Sequence, residues 1–258
     1  MAYTDWLRIG EGTGPGVIVA IDFESGRPEP GFRDLARRLA VPYGTVQPTP
    51  PAIPPFSDGR GYVRAWAAEL AGGGVDVAAV FGYCASGSLA CSLALELGRE
   101  GRRPHVFLVD PHLANGGMVY YQFLLAVQQF ERVLEFGALD AAQRAAHEVC
   151  SDPTLSRVTD VLPALYRDIA EQAFEDLADD DVLDELCGRF SSYLGFLLAG
   201  RSLAYADSTA DCLAVFSTEY DPPDGYRGRM QRIGVPHMDL LNAPEVTDAV
   251  HQLLGVAR

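Results

Sequence analysis

The chain has 258 residues, 48% hydrophobic and 21% charged, enough apolar material for a large core within one α/β domain. Its net charge of -15, with all 20 basic residues Arg, argues against the basic surface that nucleic-acid binding needs. No segment reaches the roughly 18 to 20 apolar residues of a membrane span, and Met1 to Arg8 lacks the regions of a signal peptide, so a cytoplasmic protein with no membrane partner is expected.

In chain order, Gly16 to Phe23 is a short, β-branched apolar run, and Gly31 to Ala40 repeats apolar residues at helical spacing in Phe32, Leu35, Ala36 and Leu39. Strand, loop and helix are expected there. Gln47 to Phe56 is too rich in proline for a helix or a central strand, and reads as a stiff connection. Gly61 to Ala71 has the spacing of a helix and is closed by Gly72, Gly73 and Gly74. Val75 to Tyr83 supplies a buried strand, and Ser86 to Leu97 a mostly apolar helix. Val106 to Asp110 and Cys212 to Thr218 are two further short strands. Strands alternating with helices in this way imply a mostly parallel central sheet flanked by helices.

Between Asp110 and Cys212 the pattern changes to long helical stretches: Met118 to Phe136, Asp140 to Cys150, Leu155 to Leu177 and Val182 to Leu203. The expected organisation is one domain over residues 1–258, with a helical lid insertion at about 111–209. Aromatics such as Tyr120, Phe123, Phe130, Phe190 and Phe196 fall at helical spacings and are explained by packing, although a lid over an apolar pocket needs the same composition. The acidic run from Asp179 to Glu185 reads as a solvated turn and helix start.

The five cysteines are odd in number and scattered, with no C-x-x-C pair and no His at ligand spacing, so neither a disulfide framework nor a metal site is indicated. Cys84 stands apart. A buried strand and an apolar helix meet at Gly82-Tyr83-Cys84-Ala85-Ser86-Gly87, which has the form of a nucleophile elbow, G-x-S-x-G, with Cys for the central Ser and Ser for the last Gly. Such a turn lifts one side chain above the sheet edge and requires small flanking residues. A thiol placed there gains from the helix N-terminus and from a neighbouring imidazole, both of which favour the thiolate. Cys91, farther along the same helix, reads as core.

A nucleophile of this kind needs a base, and the base an orienting acid. Of the five histidines, His237 lies in a short loop after the last strand and before a final helix from about Pro244 to Val256, where a base can reach the sheet edge. Two acids qualify. Asp110 ends the strand of Val106 to Asp110, and Asp221 follows the strand of Cys212 to Thr218. Each also precedes a proline and reads equally as a turn residue. Two backbone N–H groups are required for a developing oxyanion: that of Ala85, and one from the loop after the first strand near Phe23 and Glu24.

These residues resemble the thioesterase domains of nonribosomal peptide and polyketide synthases, within the α/β-hydrolase superfamily. The elbow of that family commonly reads G-Y-S-x-G-G, matched by Gly82 to Gly87 with Cys84 at the nucleophile, and its histidine loop, G-x-H-x-x-L-L, maps onto His237, Leu240 and Leu241. The resemblance covers nearly the whole chain. It implies an α/β-hydrolase fold and a Cys84, His237, Asp110 triad, because the peptide-synthetase members place their acid at the end of the strand after the elbow helix. In the discrete editing members the acid would fall on Asp221. The implied substrate is an acyl or peptidyl group carried as a thioester on the phosphopantetheine of a carrier protein, which would be the partner, with no cofactor of the enzyme's own. Release by hydrolysis or cyclisation is the first expectation. Cys in place of Ser also fits a transacylase that shuttles acyl groups between carriers, and a catalytically silent binding protein is the third reading.

Overall fold

A computed structural model describes residues 5–22, 30–49, 58–99, 101–134, 136–174, 180–203, 205 and 212–256. Among these described residues the sheet has seven strands in the order β1-β3-β2-β4-β5-β6-β7. These are β1 (Asp5–Gly10), β2 (Gly16–Ile21), β3 (Gly44–Thr49), β4 (Asp76–Tyr83), β5 (His105–Val109), β6 (Cys212–Phe216) and β7 (Arg229–Arg232). Every neighbouring pair is parallel except β1 with β3. The inner strands β2, β4, β5 and β6 are near-continuous apolar runs, as expected when helices cover both faces of a parallel sheet.

Chain order reverses at β2, with β3 on one side and β4 on the other. Crevices open beyond the carboxyl ends of strands at such a switch point. Helices α1 (Phe32–Ala36), α2 (Gly59–Gly72) and α3 (Gly87–Arg99) connect the first half of the sheet. After β7 come α8 (His237–Leu240) and α9 (Pro244–Leu254). Helix α9 starts with Pro in its first turn, where no N–H is missed, and stops at Gly255 in the left-handed conformation, φ 64°. Phe32, Phe81, Phe107, Val215, Leu240 and Val250 form part of the core on this face. Each such buried side chain contributes about 1.5 to 3 kcal/mol through removal from water.

The insertion between β5 and β6 consists of α4 (Gly116–Gln128), α5 (Phe136–Cys150), α6 (Val158–Phe174) and α7 (Asp180–Ala199). Residues Ala114–Phe196 form a compact unit separate from the one built on the sheet. Within it the aromatic stripe packs on itself: Phe130 meets Tyr166 at 5.8 Å between centroids, and Tyr166 stacks on Phe190 at 4.6 Å. No helix among the described residues is long and apolar enough to cross a membrane, and no group of His, Cys, Asp and Glu among them is arranged to hold a metal.

Three sequence expectations change. Gln47 and Pro48 lie within a strand, β3, and not in a connection. The ladder from β3 to β2 ends at Val46, so Pro48 faces a partner only on the β1 side, where it is paired with Trp6, and its missing N–H is tolerated. Strands β1 and β7 were not expected: β7 reads RMQR, largely exposed, with no apolar pattern to betray it. Helix α1 is also shorter than the expected Gly31 to Ala40.

Candidate active site

Strand β4 runs into α3 through a single tight turn, Cys84–Ser86. Cys84 has φ 51°, the left-handed region that a residue with a Cβ seldom occupies. Holding it there costs on the order of 1 to 3 kcal/mol, so neighbouring contacts must impose it. Ser86 supplies them: its hydroxyl accepts from the N–H of Tyr83 at 2.8 Å, and its one proton lies between the carbonyl oxygens of Ile21 (2.5 Å) and Tyr83 (2.8 Å). The turn is also tight enough to require glycine on both sides. A Cβ on Gly82 would lie 2.8 Å from the Cβ of Ala90 and 2.9 Å from the Cα of Gly87, and one on Gly87 would lie 2.6 Å from the hydroxyl of Tyr205.

His237 begins α8 after Pro236. Its backbone N–H donates to the carboxylate of Glu219 at 2.9 Å, which fixes the start of that turn. Nδ1 lies 2.6 Å from Oδ2 of Asp110. Nε2 lies 3.5 Å from Sγ of Cys84 and 2.9 Å from the hydroxyl of Tyr83. The Tyr83 ring stacks on the imidazole, and Tyr220 touches it at 4.8 Å between centroids.

Asp110, immediately beyond β5, is wholly buried and also in the left-handed region, φ 43°. Its N–H donates to the carbonyl of Val215, and its Oδ1 accepts from the N–H of Ser217 at 2.8 Å. With one oxygen held by that amide and the other by Nδ1, the acid fixes the imidazole tautomer: Nδ1 carries the proton, and Nε2 is left with its lone pair beside both the sulfur of Cys84 and the hydroxyl of Tyr83.

Cys84, His237 and Asp110 are therefore brought together, from the ends of β4 and β5 and from the turn after β7. Asp221 is not. Its nearly fully exposed carboxylate pairs with Arg232 at 3.0 Å, and that guanidinium donates to the carbonyls of Ser217 and Tyr220, so the residue braces the turn after β6. Ala85 is buried at the start of the helical turn, where backbone N–H groups lack intrahelical acceptors. Phe23 lies outside the described residues.

Three neighbours have no counterpart in the sequence reading of the site, Ser217, Glu219 and Tyr220, and a fourth, Tyr83, figured there only as part of the elbow. The polar cluster directly after β6 was the available signal for the first three. His112 also stands here, its ring stacked on Tyr220 at 4.8 Å, its Nδ1 2.8 Å from the carbonyl of Asp110 and its N–H on the carbonyl of Cys84 at 3.4 Å. Burial pushes its pKa below the usual histidine value; the hydrogen bond to Asp110 opposes that shift, and the neighbouring His237 adds to it. Elsewhere the buried sulfurs of Cys91 and Cys212 lie 3.8 Å apart, in hydrogen-bond reach of each other and not joined as a disulfide.

No family model matches the sequence, and no curated protein matches it at a significant level. Solved structures do. The Vlm2 thioesterase domain bound with a dodecadepsipeptide superposes with a TM-score of 0.54 at 19% identity, over 98% of each chain. A four-domain nonribosomal peptide synthetase bound to AMP and glycine matches at TM-score 0.60 and 13% identity, over 98% of this chain and 20% of that one. The NocB thioesterase domain in covalent complex with a fluorophosphonate nocardicin G analog matches at TM-score 0.51 and 14% identity, over 98% of this chain and 100% of that one. Identities this low speak to the fold alone, and the fold is α/β-hydrolase-like, with a helical insertion between β5 and β6.

Proposed function

We propose that the chain is a thioesterase-like enzyme of natural-product assembly, a single α/β-hydrolase domain with a helical insertion. It takes an acyl or peptidyl group from carrier-protein phosphopantetheine onto Cys84. The carrying observation is the alignment of Sγ of Cys84, the imidazole of His237 and the carboxylate of Asp110, at 3.5 Å and 2.6 Å. The 3.5 Å between sulfur and Nε2 is within the reach of a hydrogen bond to sulfur. Similarity in fold to thioesterase domains supports the substrate class.

The geometry supports a two-step cycle. The thiol proton of Cys84 passes to Nε2 of His237, and the thiolate adds to the carbonyl carbon of the acyl thioester. The oxyanion is held by the N–H of Ala85 and by a second donor, assigned to Phe23. Collapse expels the phosphopantetheine thiolate, which takes the proton from Nε2 and leaves the acyl group as a thioester on Cys84. Asp110 stays ionised throughout and stabilises the imidazolium. In the second step an acceptor gives its proton to Nε2 and attacks the acyl-enzyme, releasing Cys84. The acceptor is water in hydrolysis or a nucleophile of the same chain in cyclisation.

The sulfur nucleophile favours one further acceptor, a second carrier thiol. Exchange of one thioester for another is nearly isoenergetic and keeps the acyl group activated, which an ester on serine does not match. Labelled acyl carrier protein, incubated with the enzyme and an unloaded carrier, separates these outcomes. Loss of label to water or to a cyclic product that depends on Cys84 supports release, and faster movement to the second carrier supports transfer. Equal rates with wild type and Cys84→Ala would contradict both and leave a binding role.

A further inference from the structure

Nε2 of His237 has one lone pair and two groups beside it. The Tyr83 hydroxyl is 2.9 Å away and Sγ of Cys84 is 3.5 Å away. With Nδ1 committed to Asp110, the neutral ring can accept one hydrogen at Nε2, from the phenol or from the thiol, but not from both. The phenol has the shorter contact. It also has little freedom to leave: the Tyr83 ring is buried, stacked on the imidazole with 5.3 Å between centroids, and met by Phe32 at 6.3 Å.

We propose that Tyr83 is a positioning residue that holds Nε2 of His237 in the resting protein and withholds it from Cys84, so that the thiol ionises only when the phenol gives way. This rests on the pairing of Cys84 with His237 described above. In the exchange the proton leaving sulfur ends on Nε2. Tyr83 keeps its own proton and swings its O–H away about the C–O bond. A charged Nε2–H then prefers the thiolate to a neutral phenol, because hydrogen bonds between ions are the stronger ones. The phenol therefore stabilises the uncharged pair more than the ion pair, and it lowers the fraction of Cys84 present as thiolate near neutral pH. The other titratable groups facing the pair are Asp110 and His112 beyond β5, Glu219 and Tyr220 beyond β6, and Tyr205, whose phenol burial keeps protonated. All of them are unchanged when only the Tyr83 hydroxyl is altered.

The test follows the alkylation rate of Cys84 by iodoacetamide in the 258-residue chain across the pH range. Tyr83→Phe keeps the ring and removes the donor. The expected result is an alkylation rate near neutral pH raised about two- to tenfold, the equivalent of one net hydrogen bond. The plateau rate at high pH should not change. Replacing Tyr83 with 3-fluorotyrosine, a stronger donor, should lower the rate near neutral pH. Should Tyr83→Phe not fold, the fluorotyrosine protein alone decides. An unchanged rate near neutral pH, or changes of the opposite sign, would overturn the proposal. His237→Ala separates the two layers: if it leaves that rate unchanged, the Cys84–His237 pairing itself fails, and if it changes the rate while the Tyr83 variants do not, only the role of Tyr83 fails.

Discussion

Oδ2 of Asp110 sits 2.6 Å from Nδ1 of His237, with the carboxylate wholly buried. A buried acid in this position orients the ring and balances its charge once the thiol proton arrives. Asp110→Asn should keep the fold and lower turnover of an acyl-pantetheine thioester by about 10⁴-fold, the loss seen when such an acid is made an amide in a serine-protease triad. Asp221→Ala should change turnover less than about threefold, since an exposed ion pair contributes little. Steady-state kinetics on the two variants distinguishes the acids.

Ser86 gives the elbow its stability. The hydroxyl has no exposure and meets the N–H of Tyr83 and the carbonyls of Ile21 and Tyr83. Ser86→Ala leaves those groups without their partner and should cost about 1 to 3 kcal/mol. A lower urea midpoint with an unchanged slope would show it.

Gly82→Ala places a methyl group 2.8 Å from the Cβ of Ala90 and 2.9 Å from the Cα of Gly87, neither of which is a flexible side-chain end. The β4–α3 turn has to open. A loss of about 1 to 3 kcal/mol is expected from overpacking, with slower alkylation of Cys84. Thermal denaturation and thiol kinetics report the two effects separately.

The strands β2, β4, β5 and β6 were legible because each is a continuous apolar run set between turns, and the elbow because a strand, small residues and a helix meet at Cys84. Strand β7 was not, since Arg229 to Arg232 form a short exposed edge whose order comes from pairing with β6 and not from a pattern of its own. Strand β3 was hidden by Pro48, whose tolerance depends on where the ladder to β2 stops. The choice between Asp110 and Asp221 could not be read locally: both follow a strand and precede a proline, and only the three-dimensional placement of the His237 turn distinguishes them. Tyr83 was in view as part of the elbow, but its contact with His237 joins residues far apart in the chain.

Selective labelling follows from burial. Cys91 and Cys212 have no exposure, burial pushes the Cys150 thiol up to about 11, and burial likewise raises that of Cys187. Cys84 is partly exposed. Native protein near neutral pH should take up one equivalent of iodoacetamide, on the Cys84 peptide, and Cys84→Ala should take up none over the same time. Peptide mapping provides the count.

His112 makes stability fall in acid. Its folded pKa lies below the ordinary value of about 6.5, mainly through burial, so the unfolded chain takes up the proton first. The contribution is fully present above that ordinary value and is lost as pH drops through the lower, folded one. Urea midpoints measured from mildly alkaline to acidic pH should decline more steeply for wild type than for His112→Gln.

The most direct test of the central claim is intact-mass analysis, followed by peptide mapping, of protein mixed with an acyl-pantetheine thioester. A mass gain equal to one acyl group, located on Cys84 and missing from Cys84→Ala, is the expected result. Turnover with no acyl group on Cys84, or acylation that persists undiminished in Cys84→Ala, would contradict it.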